Sequence, residues 1–388
     1  MEELRVPLSR PLFGEAERQA ALETLESGWL VQGPRVAQFE SAFSNYTGSP
    51  HAVAVSSGTA ALHLALLALG VGPGDEVVVP AFTWVATANV VELVGARPVL
   101  VDVNLGTFNV GVAEVRAGLS ARTRAAVPVS LFGLSAPMQE LTALGRTLVE
   151  DAACALGSRE NGRHAGTRCE VGCFSFHPRK SITTGEGGML TTADATVAAR
   201  LRSLRDHGSQ PLEGESRPHR LPDFVEPGFN YRLTDLQAAL GVAQMGRLES
   251  ILSERRRLAA IYDRELAGLD WIRPPVEPAG FFHAYQAYVC LFAPEEPSLQ
   301  SVDALHARRN ELMDRLQAAG VSTRPGTHCL HTLGHYRRKY GYRPEDFPAA
   351  YLADRLSMAL PLFAGMTERQ QEHVLNLLKQ ARVGAQSR

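Results

Sequence analysis

The chain has 388 residues, 45% of them hydrophobic and 21% charged, enough to bury a large core and to hold two domains. A formal net charge of -2 removes the basic surface on which nucleic-acid binding depends, and no run approaches the roughly 18 consecutive apolar residues of a membrane span. The start Met1-Glu-Glu-Leu-Arg5 lacks the basic and apolar regions of a signal peptide, so a cytoplasmic protein is expected.

In chain order, a helix is predicted over Glu15–Glu26, with Ala20, Ala21, Leu22 and Leu25 on one face, and Ser27–Pro34 follows as a loop. From His51 strands and helices alternate: Ala52–Val55, Ala60–Leu69, Glu76–Val79, Val85–Val94, Val99–Asp102, Val112–Ser120 and Ala125–Val129. That alternation predicts an α/β fold, a mostly parallel sheet wrapped by helices. Strand-like stretches recur at Thr147–Glu150, Val171–Phe176 and Gly187–Thr192, and a basic helix is expected over Thr196–Arg205. A loop rich in Pro, Gly and charge spans His207–Arg232, and one long helix runs from Thr234 to about Leu266. The long helix reads as a connector, so residues 1–250 are expected to form a large domain and 251–388 a smaller α/β domain. The smaller unit is assembled from Ala284–Phe292, Ser301–Ala319, Tyr351–Met358 and Thr367–Gln380.

Five cysteines scattered through a chain of this size do not make a disulfide framework, and reduced thiols are expected. Cys169 and Cys173 have no second pair at zinc spacing, and no carboxylate stands at ligand spacing beside His328, His331 and His335. No metal site is therefore expected, and the three histidines read as surface or substrate-mouth residues.

Two ionisable residues stand at strand ends. Asp151 follows Thr147–Glu150, and Lys180 follows Val171–Phe176 within a segment full of turn formers, His177-Pro-Arg-Lys-Ser-Ile-Thr-Thr-Gly-Glu-Gly-Gly188. Open α/β sheets bind ligands at the carboxyl ends of their strands, so both groups can face one crevice. A lysine that forms an imine with an aldehyde and a carboxylate that keeps a pyridine nitrogen protonated are the two parts pyridoxal phosphate chemistry needs. Ser56-Ser-Gly-Thr-Ala60 lies between a strand and an apolar helix, the arrangement in which free amides and the helix dipole receive a phosphate. There Gly58 permits close approach, Thr59 offers a hydroxyl, and Ser175 can add another. Trp84, after the strand Glu76–Val79, is placed to stack on a flat ring.

Together these segments resemble the DegT/StrS sugar-nucleotide aminotransferases, a group within fold type I of the pyridoxal phosphate enzymes. The resemblance runs along nearly the whole chain: Ser27–Pro34, Ser56–Ala60, Thr83–Thr87, Glu150–Ala153, Ser175–Lys180, Gly185–Gly188 and Gly228–Asp235 occur in the family's order. It implies a fold type I large domain with a smaller C-terminal α/β domain. It implies Lys180 as the Schiff-base lysine, Asp151 as partner of the pyridinium nitrogen, Trp84 as the stacking ring, and Thr59, Ala60 and Ser175 as phosphate contacts. It further implies that Asn230 reaches the phosphate of a neighbouring subunit, hence a homodimer with shared active sites; Arg232 is a second candidate for that role. Where the family commonly carries Gln or His against the cofactor's ring hydroxyl, this chain has Cys154, a weak hydrogen-bonding group.

The implied reaction moves an amino group from L-glutamate to a nucleotide-linked keto sugar, the cofactor passing through pyridoxamine phosphate, in amino-sugar biosynthesis. The segment Thr83–Asn89 is more like members that aminate carbon 4 of the sugar than those that aminate carbon 3. A dehydratase on this scaffold would replace the lysine by histidine, which Lys180 opposes. A cofactor-bound sensor would need no turnover, and a purely structural phosphate binder would leave Lys180 and Asp151 without a task.

Overall fold

The computed structural model describes residues 4–210 and 221–381. Seven strands build the main sheet: β1 (His51–Val55), β2 (Glu76–Pro80), β3 (Arg97–Val101), β4 (Thr123–Ala126), β5 (Val149–Asp151), β6 (Val171–Ser175) and β7 (Gly188–Thr192). Parallel ladders join β3 to β2 and β2 to β4, while β5 pairs in parallel with β6. The two sets meet through parallel bridges at Ala126–Leu148 and Val129–Asp151. Only β7 runs the other way, paired antiparallel with β6 and β1, a reversal that the alternation of elements does not reveal. The order β3-β2-β4-β5-β6-β7-β1 puts the carboxyl ends of β1, β2, β5 and β6 along one edge.

Continuous apolar strands such as Glu76-Val-Val-Val-Pro80 suit a sheet covered on both faces, and all five of these residues are buried. One cover is the helix Gly58–Ala68, apolar on nearly every side and packed against β6, β7 and neighbouring helices. On the other face, Phe39 and Phe43 of the helix Pro34–Thr47 meet Phe174 and Phe176 edge-on or tilted at 4.9–5.8 Å. That helix begins at the last residue of the expected loop Ser27–Pro34, and its start is capped from far away in sequence. The buried Asp235 carboxylate accepts the amides of Gly33 (2.8 Å), Arg35 (3.1 Å) and Val36 (3.0 Å).

Three further expectations need correction. The helix Glu15–Ser27 buries Glu17 and Thr24, whereas Leu22 and Leu25 face outward. Glu17 is the cause: burial alone would raise its pKa, but bonds from the Gly14 amide, Gln244 Nε2 (2.7 Å) and Arg247 hold the carboxyl below its ordinary value. The same pairing ends the supposed single helix early. It divides into Asp235–Met245 and Leu248–Leu266, with Gly246 breaking the run and Arg247 turned onto Glu17. Finally, Ser357–Leu360 is a strand, so the helix placed at Tyr351–Met358 is Pro348–Leu356.

The C-terminal part carries an antiparallel sheet of Ile272–Arg273, Tyr288–Phe292 and Ser357–Leu360 beside the helices Val302–Ala318, Pro348–Leu356 and Glu368–Gln380. A single buried apolar cluster runs from Val77–Val79 through Phe82 and Phe132 to Tyr288 and Leu330, so this part packs on the sheet directly. The strand Phe82–Thr83 also pairs with His328–Cys329, and Asp102 accepts the amides of Ala349 and Ala350. The loop expected at His207–Arg232 is partly outside the described residues, from 211 to 220.

Candidate active site

Asp151 ends a strand, and Gly58, Trp84 and Lys180 each follow the end of one. After β1, Ser57 caps the following helix: its Oγ accepts the Ala60 amide at 3.0 Å and its carbonyl the Ala61 amide at 3.0 Å. The Ala60 amide is thus already engaged, and the helix start offers the amides of Gly58 and Thr59 together with the exposed Thr59 hydroxyl. Ser57 is a residue that sequence reasoning missed, although a serine directly before Gly58 is the usual sign of a cap. The packing leaves no room for side chains here. A Cβ on Gly58 would stand 2.9 Å from Ser175 Cβ, and one on Gly188 would stand 2.4 Å from the Ser57 carbonyl oxygen.

At the end of β5, Asp151 is 5% exposed. Its Oδ2 accepts the Thr87 hydroxyl at 2.8 Å and its Oδ1 the Ala153 amide at 3.2 Å. Burial raises the Asp151 pKa, against the pull of those two bonds and of the Lys180 charge. Thr87 is a second missed residue. It lies one helical turn beyond Trp84, whose carbonyl oxygen stands 3.1 Å from the same hydroxyl and shares its single proton with the carboxylate. Trp84 itself is 55% exposed at the carboxyl edge, with the His328 ring 5.7 Å away and tilted by 40°. An indole left in solvent at this edge is not a core residue.

Lys180 follows β6 and is half-buried; its Nζ lies 3.0 Å from Cys154 Sγ. The structure therefore brings Lys180, Cys154 and Asp151 to one edge with Ser175 at the end of β6. Asn230 is exposed and its backbone bridges Asp206, while the Arg232 guanidinium pairs with the carboxylate of that same Asp206. The three histidines scatter: His328 lies beside Trp84, His331 is buried against Phe347 and Tyr351, and His335 bonds Glu92. No group of three metal-binding side chains occurs among the described residues. A cavity of about 260 Å³ lined by Thr47–Pro50, Arg159, His164 and Thr192 lies at the opposite edge, where β1 and β6 begin.

Beside Asp151, Glu150 is wholly buried and takes bonds from Ser130 Oγ and the Gly166 amide, both 2.6 Å. Burial pushes its pKa up to about 7 from 4.5. The folded state thus holds a proton that the unfolded chain releases between pH 4.5 and about 7, so stability falls as pH rises through that window. The loss expected from this one group is about 3 kcal/mol. Urea unfolding of the cofactor-free protein at pH 5 and pH 8 should show it, and Glu150→Gln should remove most of the difference. An identical pH dependence in the variant would rule Glu150 out as its source.

The residues fit pyridoxal phosphate. Asp151 has two neutral donors and no ion pair within 4.0 Å among the described residues, which suits a cationic ring nitrogen. The helix start at Gly58 offers two free amides to a phosphate, and an exposed indole and an amine stand at the same strand edge. The architecture is that of a fold type I aminotransferase, a class that uses this cofactor. Its sequence matches the DegT/DnrJ/EryC1/StrS aminotransferase family over residues 11–379, and the chain belongs to that family.

Among its relatives, GDP-perosamine synthase from Caulobacter vibrioides is 36% identical over 98% of this chain and 99% of its own length. The sugar aminotransferase Spr1654 from Streptococcus pneumoniae, solved in its PLP form, is similar in structure with TM-score 0.87 and 30% identity, covering 97% of this chain and 98% of its own. The aminotransferase TlmJ from Streptoalloteichus hindustanus matches with TM-score 0.87 and 32% identity over 96% of this chain and 97% of its own. This protein is accordingly a pyridoxal phosphate-dependent aminotransferase. No helix among its described residues is long and apolar enough to cross a membrane.

Proposed function

We propose that the chain transfers the amino group of L-glutamate to a nucleotide-linked keto sugar, with the 4-keto position favoured, working as a cytoplasmic homodimer. The observation that carries this reading is the convergence, on one sheet edge, of the Lys180 amine, the buried Asp151 carboxylate and the open helix start at Gly58. Similarity along 98% of the chain to a GDP-perosamine synthase supports a nucleotide-linked sugar as acceptor. Exposed Leu22, Leu25, Trp29, Leu30 and Val31 support a subunit interface, since outward apolar groups clustered in one stretch mark contact surfaces. Leu30 is bonded to Asp235, close in sequence to Asn230, and this supports placing a partner near the site.

In this assignment Lys180 Nζ is the attachment point for the cofactor aldehyde, and Asp151 holds the ring nitrogen protonated. Trp84 covers the ring, Gly58, Thr59 and Ser175 receive the phosphate while the Ala60 amide is held by Ser57, and Asn230 reaches the phosphate of the neighbouring subunit. When bound, pyridoxal phosphate supplies an electron sink and stores the amino group in its pyridoxamine form. Displaced by the donor amine, Lys180 Nζ is free to take the proton from the glutamate α-carbon, and later to deliver one to the acceptor carbon being aminated. Thr87 and the Ala153 amide keep the Asp151 carboxylate aimed. The Cys154 Sγ beside Lys180 is a weak acceptor, so it holds Nζ only loosely.

Incubation with L-glutamate and a panel of nucleotide-linked 3-keto and 4-keto sugars tests the reading. Release of 2-oxoglutarate matched by an aminated 4-keto sugar is expected. Faster turnover of the 3-keto panel would reassign the carbon, and no 2-oxoglutarate with any member would reject the function.

A further inference from the structure

We infer that Gln286 is a positioning residue for Lys180, holding the peptide unit from which the catalytic side chain grows. The inference rests on Lys180 being the attachment amine and proton carrier. Gln286 Nε2 donates to the Arg179 carbonyl at 2.6 Å, and the Lys180 amide donates to the His177 carbonyl at 2.8 Å. The two bonds grip opposite sides of one peptide plane. Lys180 Cα is therefore where fixed backbone ends and flexible side chain begins.

The grip is itself anchored. Arg255, 3% exposed on the helix Leu248–Leu266, directs its Nη1 at the carbonyls of Tyr285 (3.2 Å), Gln286 (3.1 Å) and Leu362 (3.2 Å). It forms no ion pair within 4.0 Å among the described residues, so this guanidinium is spent on backbone oxygens. The segment is also locked to the loop at Leu131–Gly133: the Ala284 amide bonds the Gly133 carbonyl (2.7 Å) and the Ala287 amide the Phe132 carbonyl (3.1 Å). Tyr285 and Phe132 both adopt left-handed backbone, with φ of 46° and 57°. Gly133, at φ 103°, lies so close that a Cβ there would stand 2.7 Å from the Gln286 amide nitrogen.

Two bulky residues held in an unfavourable conformation, beside a buried charge that no acid neutralises, mark a segment fixed for a purpose. What that segment presents to the outside is the Gln286 side chain. A lysine that must leave its partner and return as a base needs a root that stays still while its long chain moves. A small tilt of the Arg179–Lys180 peptide is magnified along that chain, and misplacing a reacting group by 1 Å costs on the order of 100-fold.

Gln286→Met keeps length and removes the donor, and the side chain is half-buried, so folding should survive. In the holoenzyme kcat should fall roughly 10- to 100-fold while the glutamate KM stays within about twofold. The pH at which the visible band of the bound cofactor changes colour should move as well, a readout that lost packing alone would leave in place. Unchanged kcat with an unmoved colour midpoint would overturn the inference, as would a kcat loss that only tracks lost cofactor. A silent Gln286→Met beside an inactive Lys180→Ala would remove this inference alone, whereas turnover in Lys180→Ala would remove it together with the proposed function.

Discussion

Replacing Lys180 by alanine is expected to cut turnover by at least about 10³-fold, the largest effect of any single substitution in this protein. In the proposed assignment the change removes the covalent anchor and the base together. The hydrogen-bond partner of Nζ is the Cys154 sulfur at 3.0 Å. A thiol there can neither form a stable imine nor shuttle protons from the same point. The phosphate cradle and Asp151 remain, so the variant should still bind the cofactor, reversibly. Borohydride should fix the cofactor to the peptide containing residue 180 in the native protein and leave the variant unlabelled. Turnover surviving in a purified Lys180→Ala protein would refute the role.

The second large effect is expected from Asp151→Asn, a loss of roughly 10²- to 10³-fold in kcat. Asparagine has the same shape: its Oδ1 can still accept the Ala153 amide, and its Nδ2 can donate to the Thr87 hydroxyl, which turns its proton to the Trp84 carbonyl, so the site should stay built. What disappears is the negative charge that a protonated ring nitrogen requires. Stability should move the opposite way. Burial raises the Asp151 pKa, so keeping this group ionised costs the folded state free energy in the absence of a cation. A neutral amide avoids that cost. Thermal unfolding of the cofactor-free variant near pH 8 is therefore expected at or above the native temperature. A variant both inactive and less stable would point to a structural role for Asp151 instead.

The placement of Lys180, Asp151, Trp84 and the turn at Gly58 at strand ends is legible because each follows a run of strand-like pattern, and a strand end fixes a residue's place in the fold. The alternating elements from His51 to Val129 were legible for the same reason, and the boundaries observed lie within a few residues of those expected. What escaped depended on partners distant in sequence. The helix Pro34–Thr47 is capped by Asp235, and the break at Gly246 is held by Glu17; no local pattern carries either message. Apolar periodicity placed Leu22 and Leu25 inside because it weighs side chains one at a time. The fold instead buries Glu17, whose carboxylate is fully bonded. Gln286 shows the same limit at the site itself, since its task is defined only by where Arg179 comes to lie.

The reversed strand β7 has a mechanical consequence. The loop that bears Lys180 leaves the sheet at Ser175 and re-enters at Gly188, and both of these residues abut the phosphate turn at Ser57–Gly58. Departure and return are thus pinned at one end of the cofactor's berth, and the amine is carried out a set distance before the chain doubles back. In the proposed assignment the loop would work as a gauge, its length setting how far the amine stands from the phosphate turn. Deformation elsewhere in the sheet moves anchor and amine together, so that span is protected by chain length as well as by packing.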